Sequence, residues 1–308
     1  MGAGIAGLFA RAGVRVFLVD RTEELLGRGM TAQRASQESL VAAGRITGTE
    51  ARAADDLISP VTDIPKACGD ADLLLEALPE DAGVKGKMLS RVDRLCPPRT
   101  VFASNTSGLS ITRLAEATGR PGSVGGMHFW NPPHIVPLVE VVRGERTTDD
   151  TAAFLLDTAR LLGKRPILVR RDVPGFVGNR LQFAVFREAL HLLEQGIATA
   201  EDIDAAMTAG PGLRYGLLGP LRTADLGGLD VFHSISRYLF AELGAESEPP
   251  ELLAKLVAEG RTGAKSGAGI YEYRGDEAAQ LAAQRDRVLL AFLEALERDT
   301  DPGEESNG

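Results

Sequence analysis

A chain of 308 residues with 44% hydrophobic and 25% charged residues has the make-up of an ordinary globular protein, long enough for one large or two modest domains. Its net charge of −9 argues against a nucleic-acid footprint and an anionic membrane surface, and leaves any anionic substrate to local Arg, Lys and backbone N–H groups. Cys68 and Cys96 are the only cysteines and have no C-x-x-C spacing, so neither a disulfide framework nor a zinc site is suggested and a reducing cytoplasm fits; Arg11, Arg15 and Asp20 break the apolar start well short of membrane-spanning length.

Met1-Gly-Ala-Gly-Ile-Ala-Gly7 carries the letters G-x-G-x-x-G at Gly2, Gly4 and Gly7, a fingerprint with meaning only after a strand. A helical stretch to Ala12 and Gly13 follows, then the alternating strand Val14–Asp20. A carboxylate at the end of such a strand accepts hydrogen bonds from a ribose and repels a 2′-phosphate, which favours NAD over NADP at Asp20. The neighbouring Arg21 softens that preference, and a plain surface carboxylate is the other reading. Thr22 caps a long helix to Ala43 with Glu23 and Glu24 in its first turn, and after Gly44 a second helix runs from Thr47 to Leu57.

Leu73–Leu78 reads as a buried parallel strand, and Pro79-Glu80-Asp81 leads into a helix with Val84, Met88, Leu89 and Val92. Glu80 stands at the strand's carboxyl end, where open sheets place their ligands; an ordinary helix-start acid is the alternative. Thr100–Ala103 is the next strand, ending in Ser104-Asn-Thr-Ser-Gly108, a polar turn that simple caps would also explain. Thr147–Leu162 is helical, Pro166–Val169 is a last strand, and a boundary follows at Arg170–Gly175. Phe176–Glu194 is apolar on more than one face, as in a helix buried on several sides. Helices near Ala200–Thr208, Asp225–Phe240 and Glu251–Glu259 come next, then a terminal helix Ala278–Arg298 and a tail Asp299–Gly308 expected to be disordered.

The stretch Met127-His-Phe-Trp-Asn-Pro-Pro-His-Ile-Val-Pro-Leu-Val-Glu140 sets a histidine, an amide and a carboxylate in one loop-and-strand segment. Twelve positions separate His128 from Glu140, too far for one helical face but suited to neighbouring strand ends joined by a Pro-rich loop. A carboxylate behind an imidazole fixes its tautomer and stabilises the imidazolium, and general-base catalysis of this kind contributes roughly 10²–10⁴ in rate. A structural histidine beside an unrelated carboxylate is the bland alternative. His134 lies outside the common metal-helix spacing, and no metal is expected.

This stretch, with Ser104-Asn-Thr-Ser107 before it, Asp172-Val-Pro-Gly-Phe-Val-Gly-Asn-Arg180 after it and Lys265-Ser-Gly-Ala-Gly-Ile-Tyr271 near the end, resembles the 3-hydroxyacyl-CoA dehydrogenase family over nearly the whole chain. The resemblance implies a Rossmann-type doubly wound α/β sheet followed by an all-helical C-terminal domain, with boundaries at 1–171, 172–275 and 276–308. In the implied register Gly2 is the third glycine of the fingerprint and Gly4 the small residue beyond it. A first strand and two glycines are then expected ahead of Met1, so the sheet reads as N-terminally truncated.

The family implies NAD as cofactor, contacted by Gly2, Gly4, Asp20, Arg21, Glu80, Lys85 and Asn105. His128 is implied as general base, oriented by Glu140, with Ser107 and Asn179 donating to the reacting oxygen. Asn131, Ser107 and Ser36 are implied to meet substrate. The expected reaction is NAD-dependent oxidation of a short (S)-3-hydroxyacyl-CoA by a cytoplasmic homodimer joined across the Phe176–Glu194 helix. A free hydroxy acid (gulonate- or carnitine-like), a carrier-bound hydroxyacyl group and a non-catalytic truncated homologue are the alternatives. Gly212-Leu-Arg-Tyr215 is a candidate source of an arginine for a free carboxylate.

Overall fold

The computed structural model describes residues 1–300, so the expected tail lies outside the described residues from position 301 onward. The chain divides into two compact units, Met1–Arg180 together with the stretch from Gln284, and Leu181–Ala283.

In the first unit, short apolar strands alternate with capped helices. They run α1 (Gly2–Arg11), β1 (Val16–Val19), α2 (Glu23–Ala42), α3 (Gly48–Asp56), β2 (Ile58–Val61), α4 (Ile64–Cys68), β3 (Leu73–Glu76), α5 (Ala82–Asp93), β4 (Val101–Ser104) and α6 (Ile111–Ala115). After them come β5 (Val124–Phe129), β6 (Leu138–Val142), α7 (Asp149–Leu161), β7 (Arg165–Val169) and α8, which begins at Gly178 and continues to Glu194 in the second unit. The caps fall where short polar side chains precede apolar runs. Thr22 accepts from Leu25 N, Asp81 accepts from Val84 N, and Thr47 with Glu50 forms a capping box.

Strands β3, β4, β5, β6 and β7 form one sheet in that order, parallel except for the antiparallel β5/β6 step; β1 and β2 form a separate parallel pair. No strand among the described residues joins β1 to β3, so the sheet stands in two pieces. Strand β5 is buried along its whole length. Its Gly126 has no side chain because a Cβ there would lie 2.8 Å from Val142 Cβ and 3.0 Å from Ile111 Cδ1. One sheet face packs Ile5, Leu8, Met127, Val139, Val141 and Leu155, while Phe102, Ile111, Leu114, Val124, Val142 and Phe176 gather in a second cluster. Each such side chain contributes about 1.5–3 kcal/mol by leaving water.

The second unit holds the rest of α8, then α9 (Ala200–Ala209), α10 (Pro211–Gly227), α11 (Leu229–Leu239) and α12 (Glu251–Ala258). The expected single helix Asp225–Phe240 is instead two, parted at Gly228, whose φ of 92° suits glycine alone. Gly212–Tyr215 belongs to the first turns of α10, started by Pro211, and α10 itself bends at Gly219-Pro220. Helices α9 to α12 contain no buried residue.

Helix α13 (Glu277–Thr300) returns to the first unit, where Leu290 packs with Leu40 and Ile135. The units therefore part at 180/181 and 283/284, where the sequence placed boundaries at 171/172 and 275/276. The turn Asp172–Gly178 is tied to the first unit by hydrogen bonds to Glu140, and the second half of α13 by its apolar stripe. Neither tie has a signature in local composition.

Candidate active site

The antiparallel register sets His128 directly opposite Glu140, so both side chains leave the same face of the β5/β6 pair. His128 Nδ1 lies 2.9 Å from Glu140 Oε2. The two strand ends anticipated from the twelve-residue spacing are thus one hydrogen-bonded pair of strands. A carboxylate can only accept here, so Nδ1 carries the proton and Nε2 is left as the free acceptor of the ring.

Glu140 is fully buried and held by four donors. Besides His128, Trp130 Nε1 donates to Oε2 at 3.3 Å, and Val177 N and Gly178 N donate to Oε1 at 3.0 and 2.9 Å. Burial pushes its pKa up; the bonds from His128, Gly178 N and Val177 N outweigh it and hold the carboxyl below its usual range. The two backbone donors come from the start of α8, whose dipole adds to the preference for an anion.

That approach depends on two local features. Phe176 adopts φ 51°, rare for a side-chain-bearing residue, and its ring packs 5.9 Å from the His128 ring. Gly178 faces Trp130 so closely that a Cβ would lie 2.3 Å from Trp130 Cζ2. The Trp130 ring in turn lies 5.5 Å from that of His128, completing an apolar collar around the imidazole.

A second network holds the turn after β4. Buried Lys85 donates from Nζ to Glu76 Oε1 and to Leu78 O, both at 2.8 Å, and lies 3.5 Å from Glu80 Oε2. Glu76 Oε2 accepts from Ser104 Oγ at 2.7 Å. Glu80 Oε1 accepts from Thr106 Oγ1, Ser107 N and Gly108 N at 2.6, 2.9 and 3.1 Å. Burial raises the Glu80 pKa, and the Thr106 and Ser107 bonds with the Lys85 charge more than reverse it. Lys85 was expected at the cofactor; its ammonium is instead enclosed at 1% exposure and braces Glu80.

The remaining expected residues fall as follows. Ser107 is exposed, and its carbonyl accepts from Asn179 Nδ2 at 2.8 Å, which brings both expected oxygen-binding residues together. Asn105 Oδ1 accepts from Phe129 N at 2.8 Å, linking this turn to the end of β5. Asn131 is exposed at the head of the β5–β6 connection. Ser36 hydrogen-bonds Ala32 O of its own helix, so its hydroxyl is directed along α2 as the structure stands. Gly2 and Gly4 form the first turn of α1, whose N-terminus receives no side-chain cap. Asp20 and Arg21 are exposed beyond β1, with Asp20 Oδ1 accepting from Arg21 N. Arg214 lies on α10 in the other unit.

Trp130, Val177 and Gly178 were not singled out from sequence as partners of Glu140. Nor was Lys164, which is buried and donates to Val136 O at 2.9 Å and to Pro133 O at 2.5 Å across the β5–β6 connection. Among the described residues no group of three or more His, Cys, Asp and Glu could hold a metal ion.

Backbone N–H groups at the start of α1 and the exposed Asp20 carboxylate just beyond β1 are a donor and an acceptor of the kinds a dinucleotide uses. In dinucleotide-binding folds a helix start receives the pyrophosphate and a strand-end carboxylate the ribose hydroxyls. Comparison with known proteins agrees with that chemistry. The 3-hydroxyacyl-CoA dehydrogenase NAD-binding domain matches residues 1–173, and the C-terminal domain of the same enzymes matches residues 175–273. A Mesorhizobium japonicum protein named 5-formyl-3-hydroxy-2-methylpyridine 4-carboxylate 5-dehydrogenase is 34% identical over 297 residues, covering 96% of this chain and 95% of its own. A solved structure of an enzyme of that activity, described as an NAD⁺-dependent dismutase, superposes with a TM-score of 0.90 over 96% of this chain and 95% of its own, at 34% identity. The 3-hydroxybutyryl-CoA dehydrogenase of Mycobacterium tuberculosis is 39% identical, covering 89% of this chain and 95% of its own. The crystal structure of M. tuberculosis FadB2, also 39% identical, covers the same shares with a TM-score of 0.74.

Proposed function

Because this chain belongs to the 3-hydroxyacyl-CoA dehydrogenase family, we propose that it exchanges a hydride between NAD and the hydroxyl-bearing carbon of a small acid or its thioester, with His128 as general base and acid. The observation that carries the reading is the buried His128–Glu140 pair at 2.9 Å with Nε2 left free.

In the oxidative direction His128 Nε2 takes the hydroxyl proton as the carbonyl forms, and Glu140 stabilises the resulting imidazolium. NAD, when bound, accepts the hydride from the same carbon. Ser107 and Asn179 stand together to hydrogen-bond the oxygen whose charge changes, an arrangement in which losing one donor costs roughly 10²-fold or more. Gly2, Gly4, Asp20 and Arg21 would hold the pyrophosphate and adenosine ribose. Glu80 and Asn105 set the turn beside the nicotinamide, and Lys85 acts through Glu80.

A short (S)-3-hydroxyacyl-CoA is the first substrate class, supported by the names of the mycobacterial and other relatives. A second class, a compact acid free of CoA, is favoured by one specific observation. Only residues 1–276 precede α13, so the 297-residue alignment with the pyridine-carboxylate enzyme has to run into that helix. The alignment with the mycobacterial enzyme covers only 89% of this 308-residue chain and has no such need.

A homodimer through the second unit is supported by its exposed apolar side chains, among them Leu221, Leu226 and Phe240 at 85%, 73% and 72% exposure. Cytoplasmic location is supported by two free, buried cysteines. The test is NADH oxidation with acetoacetyl-CoA and with free oxo acids, beside the same assays on His128→Gln. Undiminished turnover in that variant would remove His128 from the reaction.

A further inference from the structure

We infer that α13 is a specificity element that closes the groove between α2 and the β5–β6 connection, admitting a compact substrate and excluding an extended thioester. The inference rests on the dehydrogenase reading just proposed, and takes as the two walls Ser36 on α2 and Asn131 at the head of the connection, the residues that the family resemblance implies to meet substrate.

Those walls meet one turn further along. Ser39 Oγ lies 3.5 Å from His134 Nε2, and Leu40 packs with Ile135. At that place α13 seals the junction. Leu290 completes the buried cluster with Leu40 and Ile135, and Ile46, Leu289 and Leu293 pack around it. Arg45, just beyond α2, donates from Nη2 to both carboxylate oxygens of Glu297, each at 2.8 Å. A substrate whose reacting carbon sits at His128 and whose long arm leaves between α2 and the connection therefore runs into α13.

Two further facts mark α13 as an addition with its own role. It lies beyond residue 273, where the match to the family's C-terminal domain ends, yet its second half folds with the catalytic unit. The β5–β6 connection is also tied down by Lys164, which donates to Pro133 O and Val136 O. Held by Lys164 and packed against Leu290, it cannot swing out to let an arm pass without displacing α13.

Trp130, the chain's one tryptophan, hydrogen-bonds Glu140 beside His128 and so reports on anything entering the site. The experiment titrates acetoacetyl-CoA and, separately, acetoacetate into the NADH-loaded full chain, following Trp130 fluorescence. It compares wild type with Leu290→Asp, which introduces a charge into the seal, and with Arg45→Glu, an exposed charge reversal that keeps the core intact. Hydrogen exchange over residues 284–298 verifies that the helix has loosened. The expected result is at least about tenfold tighter acetoacetyl-CoA binding in the loosened variants, with acetoacetate and NADH binding unchanged, because a steric block acts on the long ligand alone. Equal acetoacetyl-CoA affinity in wild type and in a loosened variant overturns the inference. Failure of all forms to bind NADH would instead strike the dehydrogenase reading, so the two failures are separable.

Discussion

Replacing Gly178 by alanine tests whether the start of α8 holds the catalytic pair. An added Cβ would meet Trp130 Cζ2 at 2.3 Å, well under the 3.0 Å that real Cβ atoms keep, and Glu140 Oε2 at 3.2 Å. The indole cannot stay where it is, so its bond to Glu140 is lost or the backbone of α8 retreats and takes the Val177 and Gly178 N–H groups with it. Overpacking of this kind costs about 1–3 kcal/mol. A hydrogen bond to a charged group lost without replacement costs a further 1.5–3 kcal/mol or so. Alanine's better helix propensity returns about 1 kcal/mol at most, and less at a first helical position. The net expectation is destabilisation of roughly 2–4 kcal/mol, and for a chain of this size each kcal/mol lowers the melting temperature by about 2–4 °C. Displacing the base by about 1 Å should also lower kcat by about 10²-fold. Calorimetry and steady-state NADH assays read both. A Gly178→Ala protein that melts no lower and turns over as fast would refute the claim that this close approach positions Glu140.

Glu140→Gln keeps the shape but can present an amide N–H to the imidazole, so activity should fall by roughly 10²–10⁴ and the pH dependence of kcat/KM should move; an unchanged pH profile would count against the pair acting together. Lys85→Met should raise the KM for NADH and lower kcat, because Glu80 and the Ser107 turn lose their buried cation, while Lys85→Arg should recover little in so confined a space; unaltered kinetics in Lys85→Met would remove it from the positioning network. Burial, with the nearby Arg11 charge, lowers the Lys164 pKa from 10.5 to about 8. Below about pH 8 the folded state carries the full cost of that buried charge, and between there and 10.5 it sheds the proton before the unfolded chain does. Wild-type stability should therefore gain on the order of 2 kcal/mol from this group between pH 8 and 9.5, a gain absent from Lys164→Met. Identical pH slopes in urea unfolding would contradict the assignment.

Much of the strand-and-helix order was legible because strands such as β3 and β4 are short apolar runs and several helix starts carry a polar cap, as at Thr22 and Asp81; the short β2, α4 and α6 did not stand out. His128 and Glu140 were legible as partners, but their meeting depends on a register that spacing alone leaves open. What escaped was contact through the backbone. Val177 N, Gly178 N, Pro133 O and Val136 O are chemically the same at every position, so nothing in the letters marks them as the partners of Glu140 and Lys164. The return of α13 escaped for a related reason. Its apolar positions announce that one face is buried, not that Leu40 and Ile135 are waiting for it. The burial of Lys85 also escaped, because a lysine one turn into the helix after β3 looks available until Glu76, nine residues earlier in the chain, is seen to claim it.

The two networks solve opposite problems with the same means. A buried carboxylate is costly to keep ionised, and Glu140 is stabilised by donors from the start of α8, while the more exposed Glu80 is held in place by donors from the turn after β4. Asn179 then ties these supports together, because it follows Gly178 directly and donates to Ser107 O, whose own N–H is held by Glu80. A disturbance at Glu80 thus reaches the donors of Glu140 through one hydrogen bond and a single residue of helix. The proton-accepting side of the site and the turn beside the expected nicotinamide are therefore mechanically one piece. Double replacement of Glu80 and Gly178 should show coupling well beyond the few tenths of a kcal/mol that separates independent sites.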